Sequence, residues 1–286
     1  MSGLKWSDTI KSQAVCNVCF RRCRLEEGQI GFCRARRNRQ GRIEAENYGE
    51  ITALALDPIE KKPLAMFYPG AMILSAGAYG CNLRCSFCQN ASISMAGREE
   101  ASCRHFAPEE LADLAVSLRQ CGNIGVAYTY NEPLVGLEYV VDTARLVRRA
   151  GMKNVLVSNG CVTEEAAEEV LALIDGANID LKGFSKQCYE RLGGSFEQVC
   201  RFIQMAAERT HLELTTLIVP GLNDNAQMME EEAAWIAEIN PDIPLHVTRF
   251  FPCYQMNKSR PTDVETVYSL AERARKYLRH VFTGNC

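Results

Sequence analysis

The chain has 286 residues, of which 47% are hydrophobic and 23% are charged, and its net charge is −3. These proportions are ordinary for a globular protein and suit one barrel with an extension. No apolar run reaches the ~18 residues of a membrane-spanning helix, and residues 1–13 lack the apolar stretch of a signal peptide, so we expect a cytoplasmic protein without a membrane partner.

The first predicted domain spans residues 1–45 and contains four closely spaced cysteines. They follow the pattern C-x2-C-x3-C-x9-C, at Cys16, Cys19, Cys23 and Cys33. Soft ligands at this spacing are typical of a closed metal site, and bound metal would supply folding energy to a segment with few apolar residues. Structural zinc is the first interpretation, an auxiliary iron–sulfur cluster the second, and metal-free thiols the third.

The same segment is strongly basic. Residues 1–42 contain ten Lys or Arg and three Asp or Glu, which gives a net charge of +7. A basic region can bind nucleic acid, but no aromatic interleaving or recognised binding motif accompanies these charges. A better explanation of the positive charge is that the arginines offset the negative charge of metal-bound thiolates. A nucleic-acid partner is therefore disfavoured.

A connector is predicted over residues 46–70 and a barrel over residues 71–286, because short apolar runs alternate with amphipathic runs from residue 71 onward. The predicted strands are Met72–Ala76, Ile124–Tyr130, Asn154–Ser158, Ala177–Leu181, Leu212–Val219 and Leu245–Phe250. Helices are predicted from Pro108 and over Leu134–Ala150, Thr163–Leu173, Phe196–Glu208, Ala226–Ile239 and Asp263–Leu278. Six strand–helix units indicate an α/β fold, a partial (β/α)6 TIM-like barrel with an open lateral cleft.

Polar residues stand where the predicted strands end. The carboxyl ends of barrel strands are where such folds place their chemistry. The polar patches are 81–88, 129–133, 158–160, 180–183, 220–224 and 249–252. One such patch is usually only a turn, whereas several on one face predict a functional site.

The most informative motif is C-x3-C-x2-C at Cys81, Cys85 and Cys88. Three thiolates are too few for a four-iron cluster held by cysteine alone, so one iron would stay open, as catalytic metal sites require. Half of a zinc site and buried thiols are the competing interpretations. The nearest further ligands in sequence are Cys103 and His105, which are distant.

This motif, with an aromatic residue before its last cysteine, resembles the signature of radical S-adenosylmethionine (SAM) enzymes. The longer pattern is similar to pyruvate formate-lyase activating enzymes and closer still to AmmeMemoRadiSam system radical enzymes. It includes the cysteine quartet and residues 57–64, 69–70, 80–82, 88–90, 128–133, 178–183 and 283–285. The resemblance implies a 4Fe-4S cluster on Cys81, Cys85 and Cys88, and reductive cleavage of SAM to a 5′-deoxyadenosyl radical for hydrogen abstraction.

The resemblance also implies cofactor contacts. Phe87 corresponds to the aromatic residue beside the adenine. Tyr130 and Asn131 replace two glycines before Glu132, which would hold the amino group of the methionyl moiety. The further contacts are Ser158 and Asn159 at the ribose or carboxylate, Asp180 and Lys182 as a charged pair at the methionyl end, and His246 or Arg249 on the last strand.

Each contact has a structural alternative. Glu132 could be an acid favoured by a helix N-terminus. Asp180 and Lys182 could form a plain ion pair on one strand face, and His246 could be a core histidine. For residues 57–63 a polar connecting loop is the first interpretation.

The substrate is open at this level. One hypothesis is modification of a protein or small molecule alongside Memo-type or Amme-type partners, which the cysteine quartet favours because simple lyase activators lack it. A second is an activase that installs a glycyl radical, and a third is a non-enzymatic iron–sulfur carrier or redox sensor. The family also implies flavodoxin or ferredoxin as the electron donor.

Overall fold

A computed structural model describes residues 13–286, so residues 1–12 of the predicted extension lie outside the described residues. Within this range the strands are β1 (Ala14–Val15), β2 (Arg24–Leu25), β3 (Arg36–Arg39), β4 (Arg42–Ala45), β5 (Glu50–Ile51), β6 (Ala53–Pro58), β7 (Met72–Gly77), β8 (Arg104–His105), β9 (Asn123–Tyr128), β10 (Lys153–Ser158), β11 (Gly176–Asp180), β12 (His211–Ile218), β13 (Leu245–Arg249) and β14 (Val281–Gly284). The helices are α1 (Ala91–Ser94), α2 (Pro108–Ser117), α3 (Leu137–Arg149), α4 (Glu164–Leu171), α5 (Lys186–Leu192), α6 (Phe196–Ala207), α7 (Ala226–Ile239) and α8 (Val264–Ala274).

Eight strands form the central sheet, in the order β6-β7-β9-β10-β11-β12-β13-β14. Neighbours from β7 to β14 pair in parallel, for example with Leu156 opposite Ala177, whereas β6 pairs antiparallel with β7. In the part of the chain that the structure describes, β6 and β14 are the two edges and do not pair with each other. The barrel is therefore open, and the predicted α/β partial barrel is confirmed.

All six predicted strands occur, with ends within two residues of the predicted ones. The two edge strands lie outside the predicted set. β14 has only four residues, and so short a segment shows no clear alternation of apolar and polar residues from which a strand could be predicted. β6 lies within the predicted connector and joins the sheet through a hairpin-like antiparallel pairing with β7.

Amphipathic helices connect the strands and bury their apolar faces against the sheet. α3 buries Tyr139, Val140 and Val147 on one face. Side-chain caps fix where several helices begin: the Thr163 hydroxyl accepts from the N–H of Ala166 at the start of α4, which satisfies a donor that the helix leaves unpaired. None of the described helices, in residues 13–286, combines the length and apolarity needed to cross a membrane.

The described part of the cysteine-rich extension consists of two small antiparallel ribbons, β1–β2 and β3–β4. It packs onto the barrel just after β10, where Cys19 forms a β-bridge with Val162. The N–H of Thr163 donates a 3.0 Å hydrogen bond to the carbonyl of Val18. The extension is thus fastened to the carboxyl ends of the barrel strands.

Candidate functional site

A large cleft opens at the carboxyl ends of the parallel strands, with an empty volume of about 2030 Å³ that includes its open mouth. The loop between β7 and α1 forms part of its wall, and so do residues that follow β9, β10, β11 and β14 and residues within β12 and β13. The predicted site residues that line it are Cys81, Cys85, Phe87, Cys88, Asn131, Glu132, Ser158, Asn159, Asp180, Lys182 and His246. The structure thus brings together every predicted barrel residue of the site, with Arg249 outside this lining.

The three cysteines of the C-x3-C-x2-C motif lie on the β7–α1 loop, which its own hydrogen bonds shape. The N–H of Cys88 donates to the carbonyl of Cys85 at 3.2 Å, and the N–H of Leu83 donates to Cys81 Sγ at 3.4 Å. Burial raises the pKa of Cys85 to about 11 and that of Cys81 well above its ordinary value. A bound metal would favour the thiolates that such buried thiols otherwise resist forming.

The chemistry of this donor set fits a four-iron cluster, since three soft thiols of one loop reach one cleft. The zinc alternative would draw on Cys103 and His105, and the structure pairs both with Glu50 instead. Cys103 Sγ lies 2.9 Å from one carboxylate oxygen of Glu50, and His105 Nδ1 lies 3.3 Å from the other. Neither residue lines the cleft with Cys81.

Glu132 is a buried carboxylate at the base of the cleft, and only 2% of it is exposed. Its Oε1 accepts from Ser158 Oγ at 2.8 Å and from the N–H of Leu134 at 3.0 Å. Its Oε2 accepts from the N–H of Asn159 at 2.8 Å. Burial raises the pKa of Glu132 to about 7, although these three hydrogen bonds oppose the rise. The carboxylate is therefore fixed in place, and its protonation equilibrium lies near neutral pH.

Asn159 links Glu132 to the cysteine loop. Its Nδ2 donates to Asn82 Oδ1 at 2.9 Å and lies 3.7 Å from Cys81 Sγ. Asn82 Nδ2 in turn donates to the carbonyl of Cys161 at 2.8 Å. Ser158 and Asn159 both bind Glu132 and so orient its carboxylate, and Asn159 alone of the two also contacts the first cysteine.

Asn131 and Phe87 hold the loop from its two sides. Asn131 Oδ1 accepts from the N–H of Ala78 at 3.1 Å, and its Nδ2 donates to the carbonyl of Gly80 at 3.0 Å. Phe87 is 4% exposed, and its backbone carbonyl accepts from Cys253 Sγ at 3.1 Å. Asn131 thus braces the backbone directly before Cys81.

Asp180 and Lys182 form an ion pair at the end of β11, with Lys182 Nζ 3.0 Å from Asp180 Oδ2. Burial alone would lower the pKa of Lys182, but the charges of Asp180, Cys85 and Cys88 raise it. A cation therefore stands beside two of the three cysteines, at the cleft surface.

His246 lies on β13 and is oriented by a carboxylate. Its Nε2 is 2.6 Å from Glu213 Oε2, and its ring stacks on Phe282 with centroids 5.2 Å apart. Burial would raise the pKa of Glu213, but hydrogen bonds from His211, His246 and the backbone of residues 65–66 lower it to about 2. Glu213 was missed from the sequence, although a glutamate inside the apolar run 212–219 is a usable signal.

Asp57, Lys62 and Tyr130 form a cluster at the wall of the cleft, where the sequence favoured only a connecting loop for residues 57–63. Asp57 and Lys62 are buried, and Lys62 and Tyr130 belong to the cleft lining. Asp57 Oδ2 accepts from Lys62 Nζ at 2.9 Å and from the Tyr130 hydroxyl at 2.7 Å. Lys62 is 3% exposed, and its Nζ lies 4.4 Å from the Tyr130 ring centroid. Tyr130 has a φ of +73°, in the left-handed region that glycine favours, and these contacts hold it there.

The N-terminal quartet lines one small cavity. The cavity is bordered by Cys16, Cys19, Cys23 and Cys33, together with Arg21 and Arg36. Burial raises the pKa of Cys19 to about 12 and also raises that of Cys33. Within residues 13–286, no three His, Cys, Asp or Glu side chains are placed so that they could hold a single metal ion.

Comparison with known proteins places this fold and site in one superfamily. The sequence profile of the Radical SAM superfamily matches residues 77–236. "Uncharacterized protein MJ0808" of Methanocaldococcus jannaschii is 37% identical over 276 residues, which are 94% of this chain and 80% of that protein. The chain therefore belongs to the radical SAM superfamily, and the coarser part of the predicted resemblance is confirmed.

Solved structures agree in fold. SuiB of Streptococcus suis matches with a TM-score of 0.58 and 13% identity, over 73% of this chain and 48% of SuiB. QueE of Escherichia coli matches with a TM-score of 0.51 and 12% identity, over 82% of this chain and 92% of that chain. Superfamily membership implies an enzyme of the radical SAM type, with a 4Fe-4S cluster and SAM as cofactors.

Proposed function

We propose that this radical SAM enzyme binds a 4Fe-4S cluster through Cys81, Cys85 and Cys88 and binds SAM in the adjoining cleft. One observation carries the proposal: the cysteine loop, Glu132 and Lys182 all open onto the same cleft at the strand ends. When bound, these cofactors would supply an electron and a 5′-deoxyadenosyl radical for hydrogen abstraction from a substrate.

Different residues of the cleft would bind different parts of SAM. The fixed carboxylate of Glu132 suits the amino group of the methionyl moiety, because a buried carboxylate binds a cation strongly. Lys182 suits the methionyl carboxylate, and Asp180 keeps Lys182 charged and in place. Phe87 would pack beside the adenine, and His246 would contact the cofactor from the last predicted strand.

We extend the proposal to the cysteine quartet, which would hold structural zinc or a second iron–sulfur cluster. Its four thiols border one cavity, and their side chains would have to turn towards one another to share a metal, because no three of them converge on a single ion in this structure. All fourteen cysteines are free thiols. This supports a location in the cytoplasm, where thiols are kept reduced.

The substrate and partners belong to the same proposal. The edges β6 and β14 leave the cleft open at its side, which suits a substrate larger than SAM, including a segment of a partner protein. The quartet supports the finer AmmeMemoRadiSam type, with a Memo-type or Amme-type partner. We propose flavodoxin or ferredoxin as the electron donor.

The test is anaerobic reconstitution of the full chain with iron and sulfide, followed by iron analysis and electron paramagnetic resonance (EPR) after reduction. Cys81→Ser, Cys85→Ser and Cys88→Ser should each lose the four-iron signal. Cys121→Ser is the matched control, because Cys121 is exposed and lies outside the cleft lining. Retention of the full signal in Cys85→Ser would overturn the proposal.

A further inference from the structure

The extension and the cysteine loop touch directly, at Gly80. Gly80 immediately precedes Cys81 and has a φ of +90°. A Cβ atom built on Gly80 would lie 2.6 Å from the carbonyl oxygen of Cys33 and 2.9 Å from the Cβ of Ala35. Only glycine leaves room for this approach, so the last cysteine of the quartet is seated against the residue before the first cysteine of the loop.

Two arginines cross this junction in opposite directions. Arg21, which lies between Cys19 and Cys23, donates from Nε to the carbonyl of Asn82 at 3.0 Å and also donates to the carbonyl of Gly193. Each of these carbonyls belongs to the barrel, so Arg21 ties the quartet to the backbone next to Cys81.

Arg84, which lies between Cys81 and Cys85, reaches the other way. It donates to the carbonyl of Cys81 at 3.0 Å and to that of Leu83 at 2.8 Å. It also donates to the carbonyl of Phe32, the residue before Cys33. The cysteine loop and the extension therefore share hydrogen bonds from both sides.

The Phe32 ring is stacked with both guanidinium groups. The Cζ atom of Arg21 lies 3.3 Å from the Phe32 ring centroid, and that of Arg84 lies 4.0 Å from it. Stacking on an aromatic face holds arginine without neutralising it. Two positive charges are thus fixed at the backbone of the cysteine loop, and among residues 13–286 both arginines donate to backbone carbonyls and to no carboxylate.

We propose that the cysteine-rich extension tunes the cluster held by the cysteine loop. The stack formed by Arg21, Phe32 and Arg84 positions that loop and raises the reduction potential of the cluster. This inference rests on the proposed cluster at Cys81, Cys85 and Cys88. Reduction adds negative charge to a cluster, so nearby fixed positive charge favours the reduced form. Arg21 and Arg84 act through the loop and are positioning residues.

The test is the midpoint potential of the reconstituted full chain, measured by EPR-monitored redox titration. Arg21→Gln should shift the potential to more negative values, while Arg21→Lys, which keeps the charge, should stay nearer the wild type. Arg22→Gln is the matched control. The Arg22 side chain is 50% exposed and pairs with Glu165 at 3.6 Å, so its loss removes the same net charge from outside the stack.

Four outcomes are distinguished. A negative shift in Arg21→Gln that Arg22→Gln lacks supports the inference. Equal potentials in wild type, Arg21→Gln and Arg22→Gln overturn it and leave the proposed function standing. Should Arg21→Gln fail to fold, Arg84→Gln and Phe32→Leu carry the same test by the same titration. If the Cys81→Ser, Cys85→Ser and Cys88→Ser variants all keep the iron content and EPR signal of the wild type, the proposed function is overturned, and this inference with it.

Discussion

The N–H of Asn159 donates a 2.8 Å hydrogen bond to Oε2 of Glu132, and this bond joins the ends of β9 and β10 beneath the cleft. The side chain of Asn159 continues the connection to Asn82, next to Cys81. A buried carboxylate, a strand end and the cysteine loop therefore form one rigid unit. Rigidity of this kind is what a site for a reactive radical needs, because the target hydrogen must be held close while water is excluded.

Lys182→Met should weaken SAM binding at least tenfold, about 1.4 kcal/mol or more, because it removes the cation proposed to bind the methionyl carboxylate. It also leaves Asp180 without its ion-pair partner among residues 13–286. Iron content should stay at the wild-type level. Equilibrium binding of SAM to the reconstituted protein measures the effect. Lys186→Met, which removes an exposed lysine paired with Glu197, is the control, and equal affinities for the two variants would refute the role of Lys182.

Asp57→Asn should destabilise the protein by roughly 3 kcal/mol, since it leaves the buried Lys62 ammonium without its carboxylate. Chemical denaturation of the full chain gives this value. Glu272→Gln breaks a more exposed pair with Arg275 and should cost less than about 1 kcal/mol. Similar losses in the two variants would mean that the buried cluster adds nothing beyond a surface ion pair.

The fold could be predicted from the sequence where a local pattern sets it. Apolar runs of strand length, separated by amphipathic runs, located β7 and β9 to β13. Parallel strands end at one edge of a sheet, so the polar residues after each strand could be expected to meet. Those that follow β7, β9, β10 and β11 do so in one cleft, whereas residues 220–224 and 249–252 lie outside its lining. β6 escaped this reasoning because its place in the sheet depends on pairing rather than on a distinct local pattern.

Some site residues were not predicted for a different reason. Residues 57–63 are dense in charge, and such a stretch is normally solvated, whereas here Lys62 is buried between Asp57 and the ring of Tyr130. Likewise Glu213 gains its partners from residues 65–66 and from His246, which are remote in sequence. Burial of charge is decided by tertiary contacts, so the apolar run 212–219 could mark Glu213 as buried but could not identify its partners.

Glu232 should make stability depend on pH. Burial raises its pKa to about 8 from an ordinary value of 4.5, and Thr216 is its hydrogen-bond donor. Between these two values the folded protein holds a proton that the unfolded chain has released, so the free energy of unfolding falls as pH rises from 4.5 towards 8.

Glu232→Gln stays neutral at every pH and should lose less stability over this range, by on the order of a few kcal/mol. Denaturation at a series of pH values compares the two proteins. The contribution of Glu132, whose pKa is also raised, is common to both and cancels in the difference. Parallel stability curves for wild type and Glu232→Gln would rule the effect out.

Cys19→Ser should lower the metal content of the extension while the iron bound by the cysteine loop stays in place, because Cys19 borders the quartet cavity and not the cleft. Counting zinc and iron on the same sample shows which metal is lost. About four irons and one zinc in the wild type indicate structural zinc, and about eight irons indicate a second cluster. Unchanged content of both metals in Cys19→Ser would contradict a metal site at the quartet.

We propose that the cysteine loop and the cleft together support cleavage of SAM. The most direct measurement is chromatographic detection of 5′-deoxyadenosine after the anaerobically reconstituted wild-type chain is reduced with dithionite in the presence of SAM. We expect product from the wild type and from Cys121→Ser and none from Cys88→Ser. Equal amounts of 5′-deoxyadenosine from the wild type and Cys88→Ser would contradict the claim.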